Sequence, residues 1–340
     1  MRSPRKPAKR ALILFPGALG DFVCFLPALR TIARGARVDL LAKSEFADLV
    51  PPAVTVYSLN AGLVGRLFMP RGGERPDVQR FFAPYDVVYS WFGAAESVFA
   101  RELKRATQGK GLLFPFRPTD GTVHQSDHYL SCLGETGSSL PIVTINGAAR
   151  AWCDRYWLRH ELQEKPVLAL APGSGAREKN WPVAFFRVIA DWWRRESGGA
   201  VIVVLGPVEE ERGGFEALQD VGPVSGALRL GQLAALLSRS AAYVGNDSGT
   251  THLAAAVGVS TVALFGPTDP DRWEPRGRRV AIVRRRLSCS PCAGETMKHC
   301  DHRSCLAALD AADVMIALGS AAGIGSGSRS NRAMQPHVAA

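Results

Sequence analysis

The chain has 340 residues and a net charge of +10, and 46% of its residues are hydrophobic. This length suits two domains of moderate size, and the composition is typical of a protein that buries apolar cores. No apolar run reaches the roughly 18 to 20 residues that span a bilayer. The basic start is followed by a short apolar run at 11–15 that stops at Pro16. That run is too short for a secretory signal, so we expect a cytoplasmic protein.

Much of the positive charge lies in the N-terminal tail and in an arginine cluster near the C-terminus. The cluster comprises Arg276, Arg278, Arg279, Arg284, Arg285 and Arg286. A basic surface favours nucleic acid, anionic lipid or phosphorylated substrates. Charge alone does not choose among these partners, and it also suits an ordinary solvated surface. A nucleic-acid groove would interleave aromatic and basic residues, and the sequence has no such motif.

The first half of the chain alternates short apolar runs with helical patterns. We expect strands at 11–15, 36–42, 54–59 and 85–91, a helix over 22–33, and a loop with a short helix at 66–84. Such alternation is typical of βα units in a parallel sheet that is covered by helices on both faces. Residues 1–150 are therefore predicted to form one Rossmann-like domain.

The second half restarts this pattern after a linker at 141–166, which carries a helix near 152–162. Strands are expected at 167–171, 201–206, 241–245 and 261–266, with helices over 184–195, 209–219, 231–240 and from about 250. We therefore predict that residues 151–318 form a second Rossmann-like domain. The stretch 319–340 is rich in Gly and Ser and is predicted to be a disordered tail. The fold class is α/β, with two such domains facing a cleft where ligands bind beyond the carboxyl ends of the strands.

Four motifs fall at the predicted strand ends, and the first is PGALGD. Its Gly17 and Gly20 let a ligand approach the backbone, and the helix that follows offers unpaired N–H groups to an anion. Asp21 stands at the start of that helix. It is either a helix cap or a catalytic base, and the spacing does not decide between the two.

The second and fourth motifs are APGSGAREKNWP and VVLGPVEEERGG. Gly173 and Ser174 form a flexible loop, and Lys179 precedes a helix from which it would reach a phosphate in the cleft. A single lysine is more often a solvated loop residue. Glu209 follows a strand end, where acidic residues of Rossmann domains bind ribose hydroxyls. The run EEER is also typical of a charged helix face.

The third motif, VGNDSGTTHLAAAVG, places a strand end at Gly245 and a helix start near Gly249. The first N–H groups of that helix are free donors at its positive end, which suits a diphosphate. The candidate donor-binding residues are Asp247, Ser248, Gly249, Thr250, Thr251 and His252. His252 either donates a further hydrogen bond or faces the core.

The order and wording of these motifs resemble glycosyltransferase family nine, the heptosyltransferases. The resemblance covers most of residues 11–318 and is most specific over 244–273, followed by GALGD and EKNWP. It implies the GT-B fold of two Rossmann-like domains, with the acceptor on the N-terminal side and the nucleotide sugar on the C-terminal side. It also implies transfer of heptose from ADP-heptose to the lipopolysaccharide inner core, with inversion at the anomeric carbon and without a metal.

The resemblance also implies roles for single residues. Asp21 matches the family's general base, Lys179 the lysine that contacts the donor phosphates, and Glu209 the acid that binds the nucleoside. The donor-binding motif is matched by Asp247, Ser248, Gly249, Thr250 and His252; Ser248 replaces a commoner threonine, and Thr250 stands where other members carry Leu or Pro. The basic face would then meet a phosphorylated, lipid-linked acceptor at the inner face of the inner membrane.

Four of the seven cysteines form a C-x2-C-x7-C-x4-C pattern near the C-terminus. They are Cys289, Cys292, Cys300 and Cys305, with His299 and His302 nearby. This spacing suits a structural zinc. The alternative is free or paired thiols, and a cytoplasmic location disfavours stable disulfides. No cofactor is expected for catalysis itself.

Two other functions fit parts of the sequence. An enzyme of the same fold would use a different nucleotide sugar or glycan acceptor, since the motifs specify phosphate binding better than the identity of the sugar. A protein of another class, a non-catalytic basic binding protein, would share the charge but would not need the motifs.

Overall fold

The computed structural model describes residues 9–60, 62–292 and 294–324. The first of its two sheets has the strand order β3-β2-β1-β4-β5. Its strands are β1 (Lys9–Leu14), β2 (Ala36–Ala42), β3 (Val54–Ser58), β4 (Val87–Ser90) and β5 (Gly111–Leu113). Every neighbouring pair is parallel, so the side chains beyond the carboxyl ends of all five strands gather at one edge.

Helices cover both faces of this sheet. They are α1 (Leu19–Gly35), α2 (Gly62–Gly65), α3 (Pro76–Phe82), α4 (Ser97–Ala106) and α5 (Gln125–Ser131). The two-residue period of a strand sends alternate side chains of β1 to opposite faces. Ala11 and Ile13 pack in the core that includes α1, whereas Leu12 and Leu14 pack with α3 and α4.

The second sheet has the order β11-β10-β9-β6-β7-β8. Its strands are β6 (Val167–Ala171), β7 (Ala200–Val204), β8 (Val224–Ser225), β9 (Ala242–Asn246), β10 (Ser260–Phe265) and β11 (Val280–Arg284). Its helices begin with α6 (Gly147–Arg159), α7 (Val183–Ser197), α8 (Pro207–Arg212), α9 (Leu230–Arg239) and α10 (Gly249–Val257). They continue with α11 (Pro270–Trp273), α12 (Gly294–Lys298), α13 (Ser304–Ala307) and α14 (Ala311–Ala322). Strands β6, β9 and β10 are buried along their whole length, as central strands of a parallel sheet must be.

The two sheets are joined by a shared core. Helix α1 packs against α10, and one hydrophobic cluster contains Ile13 of the first sheet together with Ala169 and Tyr243 of the second. The carboxyl edges of both sheets, and the first turns of α1 and α10, therefore meet at one cleft.

The predicted domain limits differ from the structure in two places. The boundary at 150/151 falls inside α6, which packs against α9, so we propose that the second domain begins before Gly147. Helix α14 continues to Ala322 because it packs against β10, β11 and α7, so the predicted tail does not begin at Gly319. Residues 325–340, the rest of that tail, lie outside the described residues.

One predicted helix is shorter in the structure, and three strands of the structure have no counterpart in the prediction. The helix expected over 209–219 ends at Arg212, because Gly213 and Gly214 adopt positive φ angles of 64° and 90°. Strands β5, β8 and β11 were not predicted; β5 and β8 are very short, and β11 ends in the arginine cluster. No helix in the described part of the chain is both long and apolar enough to cross a membrane.

Candidate active site in the interdomain cleft

Asp21 lies in the first turn of α1, directly beyond β1. Its Oδ2 accepts a hydrogen bond from the Ala18 N–H at 3.1 Å. Ala18 is the N-cap residue and has no side-chain acceptor of its own, so Asp21 supplies the side-chain cap of this helix. Its Oδ1 accepts a 2.5 Å hydrogen bond from Nη1 of Arg117. A Cβ on Gly17 would lie 2.6 Å from the Asp21 Cβ, so only glycine leaves room for this carboxylate. Capping therefore engages one carboxylate oxygen, and Arg117 holds the other.

Arg117 connects this carboxylate to the second domain. Its guanidinium carbon lies 4.4 Å from the centroid of the Phe116 ring and 4.7 Å from that of Trp273. Both distances are within the range of cation–π attraction. Trp273 ends α11, so one arginine of the first domain contacts both Asp21 and an aromatic residue beyond β10.

The residues after Trp273 make two further contacts with the first domain. The backbone oxygen of Glu274 lies 3.0 Å from Nε2 of His124. Arg276 donates two hydrogen bonds of 2.5 Å to the carboxylate of Asp127 on α5. Residues 273–276 therefore hold the two domains together beside the cleft.

The first turn of α10 has the geometry of an anion site. Ser248 is the N-cap and accepts a hydrogen bond from the Thr251 N–H at 3.4 Å. The Thr251 hydroxyl is buried and donates to the Asn246 backbone oxygen at 2.5 Å, so its role is structural. Gly249 and Thr250 are partly exposed, and N–H groups at these positions have no partner within a helix.

The first turns of α1 and α10 are in direct contact. A Cβ on Gly249 would lie 2.8 Å from the Leu19 Cβ and 2.9 Å from the Gly20 backbone nitrogen. A Cβ on Gly20 would lie 3.4 Å from Cδ2 of His252. Small residues on both sides allow this approach. It brings Asp21, the next residue in α1, to the N-terminus of α10.

Lys179 is paired with Asp247 and is not a free solvated side chain. Its Nζ donates to Asp247 Oδ2 at 2.8 Å, and the Asp247 side chain is only 7% exposed. The Thr268 hydroxyl donates to the same oxygen at 2.6 Å. Lys179 has three donors, so this contact fixes the ammonium group at the carboxyl edge of the second sheet and leaves donors for a ligand.

The loop that carries Lys179 is held by its own polar side chains. The Ser174 hydroxyl is buried and lies 2.7 Å from Asn180 Oδ1, so it shapes the loop and does not face the cleft. Asn246 accepts from the Trp181 N–H at 2.9 Å and donates to the Pro172 backbone oxygen at 2.7 Å. This fully buried amide joins the second motif to the third.

Glu209 lies beside the same loop. Its Oε2 accepts from the Gly206 N–H at 2.9 Å, which caps α8. A Cβ on Gly173 would lie 2.0 Å from Cγ of Glu209, so glycine is required for the acidic side chain to lie across the loop. The structure thus brings Glu209 next to the second motif with one oxygen already used for capping.

His252 faces the interior, as the alternative prediction had it. It is buried, and its Nδ1 lies 3.7 Å from the sulfur of Cys24 on α1. Burial lowers the pKa of His252 and raises the pKa of Cys24 to about 12. At neutral pH the imidazole is therefore uncharged and the thiol is protonated, so this pair packs the contact between α1 and α10.

The four clustered cysteines line one small cavity together with Met297 and His302. The lining cysteines are Cys289, Cys292, Cys300 and Cys305, and all are free thiols. Over residues 9–60, 62–292 and 294–324, no three His, Cys, Asp or Glu side chains are grouped so that they would hold a metal ion. The zinc prediction therefore has no support in the geometry. Burial raises the pKa of Cys292 and of Cys305, which keeps both thiols protonated.

Four residues of the cleft were missed by the sequence reasoning. They are Arg117, Asn246, Thr268 and Trp273. Three of them lie within the run 244–273, and their neighbours at Gly245, Asp247 and Pro270 gave the only available signal. Arg117 stands in a stretch with no motif, because a contact across 96 positions leaves no local pattern.

Comparison with known proteins agrees with this architecture. A model of glycosyltransferase family 9 (heptosyltransferase) matches residues 144–301. Lipopolysaccharide heptosyltransferase 1 of Pseudomonas aeruginosa is 27% identical over 313 residues, which cover 84% of this chain and 87% of that protein.

Two solved structures share the two-domain fold. A family 9 glycosyl transferase from Veillonella parvula has a TM-score of 0.72 at 20% identity, covering 92% of this chain and 97% of its own. The ADP-heptose lipopolysaccharide heptosyltransferase II of E. coli has a TM-score of 0.66 at 19% identity, covering 92% and 98%. The predicted arrangement of two Rossmann-like domains of the GT-B type is confirmed.

Proposed function

We propose that this chain, which belongs to glycosyltransferase family 9, transfers heptose from ADP-heptose to a sugar of the lipopolysaccharide core. The observation that carries the proposal is the contact between Gly20 and Gly249. It puts a carboxylate of one domain beside the helix N-terminus of the other, so that a base and a phosphate site share one cleft.

The donor diphosphate would bind at the first turn of α10. The N–H groups of Gly249 and Thr250 point to the positive end of that helix, where an anion is stabilised. The ammonium group of Lys179 adds a full positive charge, and Asp247 holds it in place. Glu209 would bind the ribose with the oxygen that does not cap α8. The substitution Thr250→Pro removes one of these N–H groups and tests this placement. We expect titration of the variant with ADP to show a lower affinity.

The reaction we propose is a single displacement. Oδ1 of Asp21 takes the proton of the acceptor hydroxyl while the hydroxyl oxygen attacks the anomeric carbon. The bond from that carbon to the diphosphate oxygen breaks, and ADP leaves with the electron pair. Attack opposite the leaving group inverts the configuration. A positioned base of this kind contributes about 100- to 10,000-fold to the rate.

The charge that grows on ADP would be neutralised without a metal ion. Lys179 and the N-terminus of α10 are both fixed before reaction, and fixed dipoles and charges stabilise a leaving group without reorganisation. We therefore propose that turnover persists in the presence of a chelator.

We further propose that the enzyme works in the cytoplasm, at the inner face of the inner membrane, where a lipid-linked acceptor would be presented. The net charge of +10 favours an anionic surface. Met69 is 62% exposed, and Arg71, two residues further on, is exposed as well. This segment combines the apolar and basic groups that a headgroup region attracts.

The test is a product assay with purified protein, ADP-heptose and a series of truncated lipopolysaccharide cores. We expect one heptose to be added to one member of the series. NMR of the product should show the inverted anomeric configuration, and the rate of transfer should be the same with and without EDTA. Transfer from another nucleotide sugar in preference to ADP-heptose would contradict the donor assignment, and retention of configuration would contradict the mechanism.

A further inference from the structure

An aromatic pocket lies on the N-terminal side of the cleft, beyond the carboxyl ends of β1, β4 and β5. It has a volume of about 630 Å³. Its large lining side chains are Pro16, Phe68, Trp91, Phe92, Pro115 and Phe116. Ligands of open α/β sheets bind at this edge, so the position is that of a substrate site.

The pocket lies next to the candidate base. Phe116 directly precedes Arg117, whose guanidinium holds Asp21 and stacks on the Phe116 ring. Pro16 adjoins Gly17, the residue on which a Cβ would meet Asp21. A sugar that places a hydroxyl at Asp21 therefore has its remaining atoms beside these rings.

The rings of the aromatic wall pack against one another. The Phe68 ring lies 5.5 Å from that of Phe92 and 4.8 Å from that of Phe99, centroid to centroid. Gly93 has a φ of +75°, and a Cβ there would lie 2.4 Å from the Phe99 ring. Glycine is thus required for the chain after β4 to turn closely around this ring. Fixed rings offer stacking area at little entropic cost.

The charge of the pocket decides which sugars it suits. Glu96 is its single charged lining residue, and the described residues that line it include no Lys, Arg or His. Arg117, which follows the lining residue Phe116, is already paired with Asp21. A carboxylated sugar would lose water here and meet the like charge of Glu96, which is costly.

We infer that this pocket binds the acceptor through the apolar C–H face of a neutral sugar, and that the enzyme selects neutral over carboxylated acceptor sugars. The inference rests on the proposed function, since it names the acceptor class of that same cleft. Phe68 and Phe116 supply the stacking faces, and Glu96 accepts hydrogen bonds from sugar hydroxyls at the rim.

The experiment compares two delipidated core fragments, one ending in a neutral aldoheptose and one ending in a sugar acid. Binding of each to ADP-saturated enzyme is measured by calorimetry, and transfer from ADP-heptose is measured separately. We expect the neutral fragment to bind at least about tenfold more tightly. We expect Phe68→Ala to weaken that binding about five- to tenfold, the size of one aromatic contact. Tyr57→Ala is the matched control, because Tyr57 is 50% exposed on β3 and lies outside the pocket.

The outcomes separate this inference from the proposed function. Tighter binding of the neutral fragment that depends on Phe68, without heptose transfer, would refute the proposed donor or reaction and leave the inference standing. Equal or tighter binding of the sugar-acid fragment would overturn the inference, even with transfer observed. Failure of both fragments to bind, or equal losses in Phe68→Ala and Tyr57→Ala, would overturn it as well.

Discussion

Arg117 donates a 2.5 Å hydrogen bond to Asp21, although the two residues are 96 positions apart in the chain. The same guanidinium stacks on Trp273 of the second domain. The orientation of the candidate base is thus set by a residue that also contacts the second domain. Approach of the two domains and placement of the base are therefore coupled through one side chain.

Replacement of Arg117 by lysine tests this coupling. Lysine keeps the charge but loses the planar group that stacks and bonds at once. We expect turnover to fall about 10- to 100-fold with ADP affinity nearly unchanged, the loss expected for misplacement of a catalytic group. Arg187→Lys is the control, since Arg187 makes a comparable pair with Asp220 on an exposed surface. Equal effects of the two substitutions would contradict a positioning role.

Replacement of Lys179 by alanine should weaken donor binding and turnover together, because the ammonium group acts in both ground and transition states. The structure adds a second effect, since Asp247 would keep only the Thr268 hydroxyl as a partner. Loss of a hydrogen-bond partner from a buried polar group costs about 1 to 3 kcal/mol, so the free energy of unfolding should fall as well. Titration with ADP, initial rates and urea unfolding measure the three quantities. Lys298→Ala, which removes an exposed lysine, is the control. If the kinetics of Lys179→Ala equal those of the control, Lys179 has no part in donor binding.

The buried His124 side chain should make the free energy of unfolding depend on pH. Burial and the nearby Arg276 lower its pKa from 6.5 to about 4. Its Nδ1 accepts from the Ser126 N–H at 3.1 Å, a bond that protonation would break. The unfolded chain binds this proton at higher pH than the folded chain, so stability is lost as pH falls from about 6.5 towards 4, by up to about 3 kcal/mol.

Urea unfolding at pH 7.5, 6 and 5 measures this loss. His124→Gln should flatten the profile, although buried His252, whose pKa is also lowered, keeps part of it. His299→Gln changes an exposed histidine and should leave the profile as it is. A His124→Gln profile that matches the unsubstituted protein would contradict the assignment.

The clustered cysteines should affect stability and leave the chemical step unchanged, because the cavity that they line includes neither Asp21 nor Lys179. Thiol titration of the native protein should modify exposed Cys289 first. Buried Cys305 should react slowly, since burial also raises its pKa and only the thiolate is reactive. Metal analysis should give less than about one equivalent of zinc, the content of a four-ligand site. A full equivalent, or rates that fall with a chelator, would contradict this account.

The fold was largely predictable because its signals are local. The apolar runs at 11–14 in β1 and along β6, β9 and β10 are buried, and each of these strands is followed by a short turn and a helix. The weak elements were missed for the same reason: β5 and β8 are too short to show a period, and β11 ends among arginines. The charged residues after Pro207 favoured a longer helix, but Gly213 and Gly214 end α8 at Arg212.

The site was predictable only in part. Glycine-rich strand ends predicted Asp21, Lys179 and the start of α10 as candidates, because those signals also lie within a few residues, and the structure brings them to one cleft. Their partners were hidden, since Arg117 and Thr268 acquire their roles only through tertiary contacts. Local pattern also left the cap and base interpretations of Asp21 open, and in the structure one carboxylate oxygen caps the helix while the other accepts from Arg117.

Asp21→Asn is the measurement that tests the central claim most directly. Asparagine caps a helix about as well as aspartate, so the melting temperature and the affinity for ADP should stay near those of the unsubstituted enzyme. Asp310→Asn, at the N-cap of α14, is the matched control and should retain full activity. As a general base, Asp21 predicts an initial rate of heptose transfer that falls about 100- to 10,000-fold in a protein that remains folded and binds donor. A folded Asp21→Asn enzyme with the full rate would contradict the account and leave Asp21 as a helix cap.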